Sequence, residues 1–497
     1  MNYITLTVFV SYFAVLFFIG YLAYRRTTNV EDYILGGRQL GPVVGGISTG
    51  ASDMSGWLLL GLPGAIYLSG LSEIWIAIGL AIGAYLNWQF VGKRIRVYTQ
   101  VANNSLTLPD FFENRFRDKS KSLRIIASSF ILIFFAFYIS SGLVGGAILF
   151  EATFGISYIT ALIVGSVIII GYTMVGGFFA VAWTDFLQGS IMFLALIIIP
   201  VAALTTIGDW GNSVNQIGSI SAEHLDVFAG TTTLGVVSLL AWGLGYFGQP
   251  HVIIRFMSMK STKDITVGRS IYTIWNVAAL FGAIFTGFFG IAYFADAPLA
   301  NPETVFIEFA QVLFNPWVTG FLLVAVLSAI MSTISSQLLI AASALSEDLY
   351  KGFIRKNASQ KELMLVVRLA VLLISLFAIV LALNPDSSVL SLVAYAWAGF
   401  GAVFGPAIIL SLFWKKATKN GILAGMLVGG ITVIAWSLLS TPPAGMGQEA
   451  AVIPFYLYEI VPGFVFSWIS IVAVSLFRNN VSQEVIDEFN AVNASKI

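Results

Sequence analysis

The chain has 497 residues, of which 58% are hydrophobic and only 10% charged, with a mean hydropathy of +0.89. That composition excludes an ordinary soluble globular protein and predicts an all-α polytopic membrane protein with the lipid bilayer as its solvent. Zero formal net charge and no long basic run give no footprint for nucleic acid; with no Cys and only His224 and His251, disulfides and thiolate metal sites are excluded, and a zinc or haem site lacks ligands.

Runs of about 20 apolar residues predict thirteen transmembrane helices. They lie near 3–24, 41–68, 73–92, 125–149, 156–175, 178–206, 231–254, 270–294, 310–346, 364–383, 387–413, 420–439 and 453–477. The first could pass for a signal peptide, but it lacks a basic leading segment and is followed by Arg25-Arg26, so it reads as a retained span. The run at 310–346 exceeds what a bilayer needs and predicts tilt or projection into the cytoplasm.

Alternate numbering of the connections puts all 25 Lys and Arg on one side. These are Arg25, Arg26 and Arg38; Lys93 through Arg124; Arg255, Lys260, Lys263 and Arg269; Lys351 through Arg368; Lys415, Lys416 and Lys419; and Arg478 and Lys496. The other side has acids such as Glu151, Asp209, Glu223, Asp226, Asp296, Glu303 and Glu449. Basic loops stay cytoplasmic, so the N-terminus is expected outside and the C-terminus inside, in a cell membrane. The only long polar inner segments are expected at 93–124 and after Leu476, with 207–230 and 440–452 outside. One surplus span would scramble this sorting.

An odd count of spans also allows an inverted repeat, because five helices followed by five more enter the membrane from opposite sides. Residues 1–497 then form one transmembrane domain: 1–40 a peripheral first helix and inner loop, 41–206 a first repeat (helices 2–6), 231–413 a second (helices 7–11), and 414–497 two added helices and a tail. Each repeat opens on a helix interrupted by glycine, at Ala51-Ser52-Asp53-Met54-Ser55-Gly56-Trp57 and at Trp242 to Pro250. Paired breaks of this kind point to a transport site near the midplane.

Asp53 is a carboxylate at membrane depth, which is costly and therefore a functional candidate, although a packing kink with a locally neutralised acid would look the same. In the ninth span Ser332, Ser335 and Ser336 share one helical face, as cation ligands or as small residues for close packing. Hydroxyls beside carbonyls freed by a break suit a hard cation, with sodium the natural candidate. Asp185 lies roughly 10 Å into the sixth span, either an interfacial acid or a second cation ligand on the exit path. Trp57, Trp242, Tyr246 and Phe247 at the breaks, with Tyr138, could line a compact pocket for a small solute whose charged ends meet backbone dipoles, since no Lys or Arg is expected in the core. Tyr395 and Trp397 read as an interfacial belt. Arg38 reads as a topological or gating residue rather than a substrate ligand.

At these residues the chain resembles the sodium:solute symporter family, and within it the proline carriers. The resemblance is carried by Tyr33-Ile34-Leu35-Gly36-Gly37-Arg38, Ala51 to Trp57, Trp242 to His251, Ser346-Glu347-Asp348-Leu349-Tyr350 and Tyr395 to Gly401; loop 440–452 looks like an insertion. It implies a leucine-transporter-like fold of five plus five inverted helices, with Na+ as coupling ion and L-proline as solute. It further implies a main sodium site from the carbonyls of Ala51, Met54 and Ala329 and the hydroxyls of Ser332 and Thr333, with Asp53 at the acidic position on which sodium coupling depends. The solute would lie against Ser55, Gly56, Trp57, Tyr138, Trp242, Tyr246 and Pro250. A second sodium site would use Asp185, Ser332, Ser335 and Ser336.

The expected function is thus secondary symport rather than enzymatic catalysis. The alternatives are a symporter for a betaine or another amino acid, a channel, or a transporter-derived sensor, which would normally append a signalling domain. No obligate protein partner is evident.

Overall fold

In the computed structural model the described residues, 3–24, 30–173, 177–385, 387–442, 450–477 and 481–495, are helical almost throughout. Ten of the helices are long and apolar enough to cross a membrane, making the chain a multi-pass membrane protein. The other three expected spans fall on interrupted or shorter helices: Pro42–Met54 with Gly61–Ser69, Tyr158–Thr173, and Thr233–Leu240 with Pro250–Ser258. Arg25, Arg26, Glu449, Arg478, Lys496 and most of loop 440–452 lie outside the described residues.

Both expected breaks are real, and each has a local cause. Pro42 opens the first helix, where a missing N–H costs nothing. The helix stops at Ser55, whose φ of 51° and ψ of −172° no α-helix accommodates; Ser55 Oγ then accepts from the Trp57 N–H, and a short 3₁₀ turn, Gly56–Leu58, leads to the resumed helix. In the second, Thr232 caps Thr233–Leu240, a 3₁₀ stretch runs from Ala241 to Gly248, Gln249 is extended, and Pro250 restarts the helix. Unwound backbone cannot face hydrocarbon. The helices Ser122–Phe154, Thr262–Tyr293, Pro316–Ser343 and Val389–Phe413, the most buried of the long ones, enclose it.

Close approach is what fits the second break into this shell. A Cβ on Gly83, in helix Ile74–Leu86, would lie 2.1 Å from the Gly243 carbonyl oxygen, and one on Gly243 would lie 2.3 Å from that of Gly79. Asn87, one residue beyond that helix, donates from Nδ2 to the Tyr246 carbonyl at 3.0 Å. The peripheral first helix, Tyr3–Tyr24, is pinned by Tyr12, whose hydroxyl oxygen accepts from Gln188 Nε2 at 2.8 Å and Ser328 Oγ at 3.0 Å.

Three expectations need correcting. The apolar run 310–346 is two helices, Val305–Leu313 and Pro316–Ser343, because Asn315 caps the Trp317 and Val318 N–H groups and Pro316 occupies the first helical position; the second helix then continues in a wider π-type coil to Ile354. Segment 93–124 is not simply a polar loop: helix Lys93–Val101 continues the preceding span, and Thr107 caps Leu108–Arg115. The helix after the second break runs to Ser258 rather than 254, which places Arg255 inside the bundle at 2% exposure.

Segments expected on the basic side do meet. Lys419 lies 2.7 Å from Asp118, and Lys121 reaches the Gly352 carbonyl. Burial alone would raise the Asp118 carboxyl, but Lys419 and the N–H of Leu123 bring it down to about 2. Helix Gln483–Ala494 docks on this face through Val485, Phe489 and Val492, with Arg117 and Glu488 paired at 2.6 Å. Beneath the breaks, Arg38 donates to Asn104 Oδ1, Thr99 Oγ1 and the carbonyls of Ser105 and Met257, and Leu40 exchanges backbone hydrogen bonds with Ser258 and Lys260.

The tight fit at the second break predicts that Gly83→Ala destabilises the protein by about 1–3 kcal/mol. Thermal unfolding of the detergent-purified variant measures this, and a wild-type melting temperature would contradict the packing described.

Candidate functional site

The first break leaves Asp53 almost at the end of its helix, 3% exposed and ringed by hydroxyl groups. Tyr272, from helix Thr262–Tyr293, donates to Asp53 Oδ2 at 2.9 Å and lies 3.2 Å from the Tyr246 hydroxyl. Tyr138 donates to the Asp53 carbonyl at 3.3 Å. The other carboxylate oxygen, Oδ1, has no hydrogen-bond partner among the described residues and stands 3.9 Å from His251 Nε2. Tyr272 and His251 were not identified as site residues from the sequence. A lone tyrosine in an apolar helix signals little, and His251 was visible only as part of a motif.

Above Asp53 the aromatic side chains of both breaks close on one another. Asp53, Met54, Trp57, Tyr138, Trp242 and Tyr246 line a narrow cavity with Leu80, Val393 and Trp397. Its room, about 10 Å³, is roughly that of a single water. Trp57 and Trp242 have ring centroids 5.6 Å apart, and Tyr246 meets Trp397 edge-on at 5.1 Å. Trp57 Nε1 is buried without a partner among the described residues. Trp397 is therefore not part of an interfacial belt. Its Nε1 donates to the Trp242 carbonyl at 2.7 Å, satisfying backbone that the break set free.

Trp242 also borders a second, much larger cavity of about 760 Å³ on the face away from the basic loops. Its lining holds Glu73, Glu223 and Glu459 and, among the described residues, no Lys or Arg. Tyr458 lies against Trp242 at 5.4 Å, so the Trp57–Trp242–Tyr458 series of rings separates this vestibule from the inner cavity. Ser55 and Gly56 are buried at the break, with Gly56 against Ile330, and do not border the inner cavity. Pro250 is elsewhere, in a small cavity with Ile131, Met257 and Asp348.

Oxygen atoms gather on the other side of the first break. Ser332 Oγ donates to the Ala51 carbonyl at 2.7 Å and lies 3.2 Å from that of Ala329. Thr333 Oγ1, next in sequence, is buried with no partner among the described residues. Met54 belongs to the same last turn of helix as Ala51. Ser335 bonds back to the Ser332 carbonyl at 3.2 Å. Ser336 instead faces Asp185 Oδ2 at 3.3 Å, and there the expectation of a core without cations fails: Arg255 Nη2 lies 2.6 Å from the same carboxylate oxygen. The arginine was assigned to an inner loop because its helix was expected to end one residue earlier.

Residues 33–429 match the sodium:solute symporter family. The chain is 51% identical over 495 residues to the sodium/proline symporter of Escherichia coli (strain K12), covering 98% of this chain and 96% of that protein. It is 51% identical over 474 residues to the high-affinity proline transporter PutP of Bacillus subtilis (strain 168), covering 95% and 98%. Among solved structures, the substrate-bound outward-open state of a Na+-coupled sialic acid symporter superposes with a TM-score of 0.76 over 96% of this chain and 98% of that one; at 19% identity it speaks for the fold alone.

Tyr272 donates directly to the Asp53 carboxylate, with the Tyr246 hydroxyl beside it. Tyr272→Phe should therefore lower stability by about 1–3 kcal/mol, the cost of stranding a buried acceptor. Thermal unfolding reads this directly, and an unshifted transition would show that Asp53 does not depend on that hydroxyl.

Proposed function

The chain belongs to the sodium:solute symporter family, and on that premise we propose that it is a secondary carrier that imports L-proline together with Na+ by alternating access. One observation carries the reading. The break at residues 51–57 has an aromatic cavity on one side and the Ala51, Ala329 and Ser332 oxygen cluster on the other, with Asp53 between them. Ion and solute would then organise the same unwound turn.

The chemistry of the cavity suits a small zwitterion. Among the described residues Trp57 Nε1 is a donor and Asp53 Oδ1 an acceptor without a hydrogen-bond partner, one for each end of an amino acid. Trp57, Trp242 and Trp397 supply flat apolar walls for a compact ring. The names of the similar carriers in Escherichia coli and Bacillus subtilis support proline as that solute. The coupling ion would be held by the carbonyls of Ala51, Met54 and Ala329 and the hydroxyls of Ser332 and Thr333, neutral ligands that a hard cation accepts when a carboxylate stands nearby. Ser55, Gly56 and Pro250 would act by shaping the breaks rather than as cavity walls.

The two closures described above fit alternating access. The ring series at Trp242 seals the cavity from the acidic vestibule, and the Arg38 hydrogen bonds with the Leu40 backbone pairing seal it from the basic face. We read the chain as thirteen spans in a leucine-transporter-like arrangement, residues 41–206 and 231–413 forming inverted units, with the N-terminus outside and the C-terminus in the cytoplasm. The similar layout of the two breaks, and the mutual contact of the basic segments, support that reading.

Proteoliposomes containing the purified protein should accumulate labelled proline when an inward Na+ gradient is imposed, and should exchange it against unlabelled proline inside. Uptake that is indifferent to Na+ would refute sodium symport, absence of exchange would favour a channel, and preferential competition by a betaine would reassign the solute.

Sodium and proline should bind with positive, reciprocal coupling because both stabilise the same turn. Ser332→Ala or Thr333→Ala should raise the Na+ concentration for half-maximal uptake roughly tenfold, equivalent to about 1.4 kcal/mol. Asp53→Asn should weaken Na+ binding and, through the coupling, proline binding at fixed Na+. Proline binding measured across a sodium titration tests all three; wild-type sodium dependence in Asp53→Asn would remove the carboxylate from the coupling.

A further inference from the structure

The Asp185 carboxylate is engaged by a cation that the chain itself supplies. Asp185 comes from helix Phe178–Ile207, Ser336 from Pro316–Ser343, and Arg255 from the inner half of the second broken helix. All three are buried. Asp185 Oδ2 and Ser336 Oγ lie 3.3 Å apart, and Arg255 Nη2 reaches both, at 2.6 and 2.8 Å. A single nitrogen thus occupies the position from which a bound metal ion would touch the carboxylate and the hydroxyl together. The guanidinium is anchored from its other arm, where Nη1 donates to the His251 carbonyl at 2.6 Å.

The place matters because Ser336 is four residues from Ser332, hence about 6 Å along the same helix face, and Ser332 belongs to the oxygen cluster at the first break. An ion travelling inward along this face would meet Asp185 next. Two properties of Arg255 decide the competition there. Guanidinium stays protonated under all ordinary conditions, so it cannot yield the carboxylate by losing its charge. Being tethered, it is also present at an effective concentration that a free ion in solution does not match. Displacing it would leave a buried guanidinium without a counter-charge.

Resting on sodium symport as the reading of the site, we infer that Arg255 is a built-in cation that fills the Asp185–Ser336 position, so that the carrier couples its solute to one Na+ instead of two. Asp185, Ser335 and Ser336 then hold no transported ion in the wild-type protein. The Asp185–Ser336 position becomes a sodium site only when the guanidinium is removed.

The test is a count of ions. Fluxes of labelled Na+ and labelled proline, measured on the same proteoliposomes, should give a ratio of about one in the wild type and in Arg255→Lys, which keeps the charge, and should approach two in Arg255→Gln. The double variant Arg255→Gln/Asp185→Asn should return to about one, because the freed carboxylate is what recruits the extra ion. Equilibrium binding of labelled Na+ to the purified wild-type protein gives the count without transport, so a poorly folded Arg255→Gln does not shelter the idea. Two ions bound or carried by the wild type overturn it, as does Arg255→Gln transporting with the wild-type ratio. Failure of the underlying reading looks different: wild-type uptake would not respond to a Na+ gradient at all.

Discussion

A backbone that has left its helical hydrogen bonds cannot face lipid, because nothing in hydrocarbon replaces them. Most of this structure answers that constraint. Two helices come apart, at Ser55 and across Ala241–Gly248, and the four most buried long helices stand around them. Partners are then found for the freed groups one at a time: the Trp397 indole for the Trp242 carbonyl, the Asn87 amide for that of Tyr246, the Ser332 hydroxyl for that of Ala51. Each of these donors comes from a different helix. The enclosing bundle is thus held to the breaks by polar contacts as well as by packing, in an environment where hydrophobic attraction between helices is weak.

Within that shell the two acids of the broken-helix region have different surroundings. Asp53 keeps one oxygen satisfied by Tyr272 and the other without a partner among the described residues, while Asp185, on the inner side, is paired with Arg255. The two buried acids look equivalent in sequence, each a carboxylate inside an apolar run. Their surroundings separate them, since one is close to aromatic walls and unwound backbone and the other has a guanidinium bound to it.

Much of this was legible beforehand, and the reasons are specific. Asp53, Trp57, Trp242 and Tyr246 stand out because an acid and large aromatic residues sit within glycine-interrupted stretches of apolar spans, and Tyr138 as an aromatic inside span 4; the structure places all five around one cavity. The twofold occurrence of the break was visible for the same reason. Tyr272 was not visible, since one hydroxyl in an apolar helix says nothing about what it faces. Trp397, well inside its helix, reads as interfacial from residue type alone, because tryptophan in a membrane span ordinarily marks the interface. Arg255 was misplaced by a rule that sorts positive charge into inner loops, a rule that holds for solvated lysines and fails when a carboxylate from another helix waits inside. The helix boundary at Asn315-Pro316 carried a clear start signal, but unbroken hydropathy across it outweighed the signal.

Trp242 is a wall of the inner cavity and also a wall of the vestibule. In the carrier proposed above, recognition and closure would therefore share one part. A molecule that enters far enough to hold this indole aside, but is too large to let it swing back, would jam the carrier open toward the vestibule without ever being carried. The upper size limit for cargo and the design rule for a blocker are then the same dimension, measured from the indole to the opposite face of the cavity, and changing that residue to admit larger cargo would lower the seal by the same step.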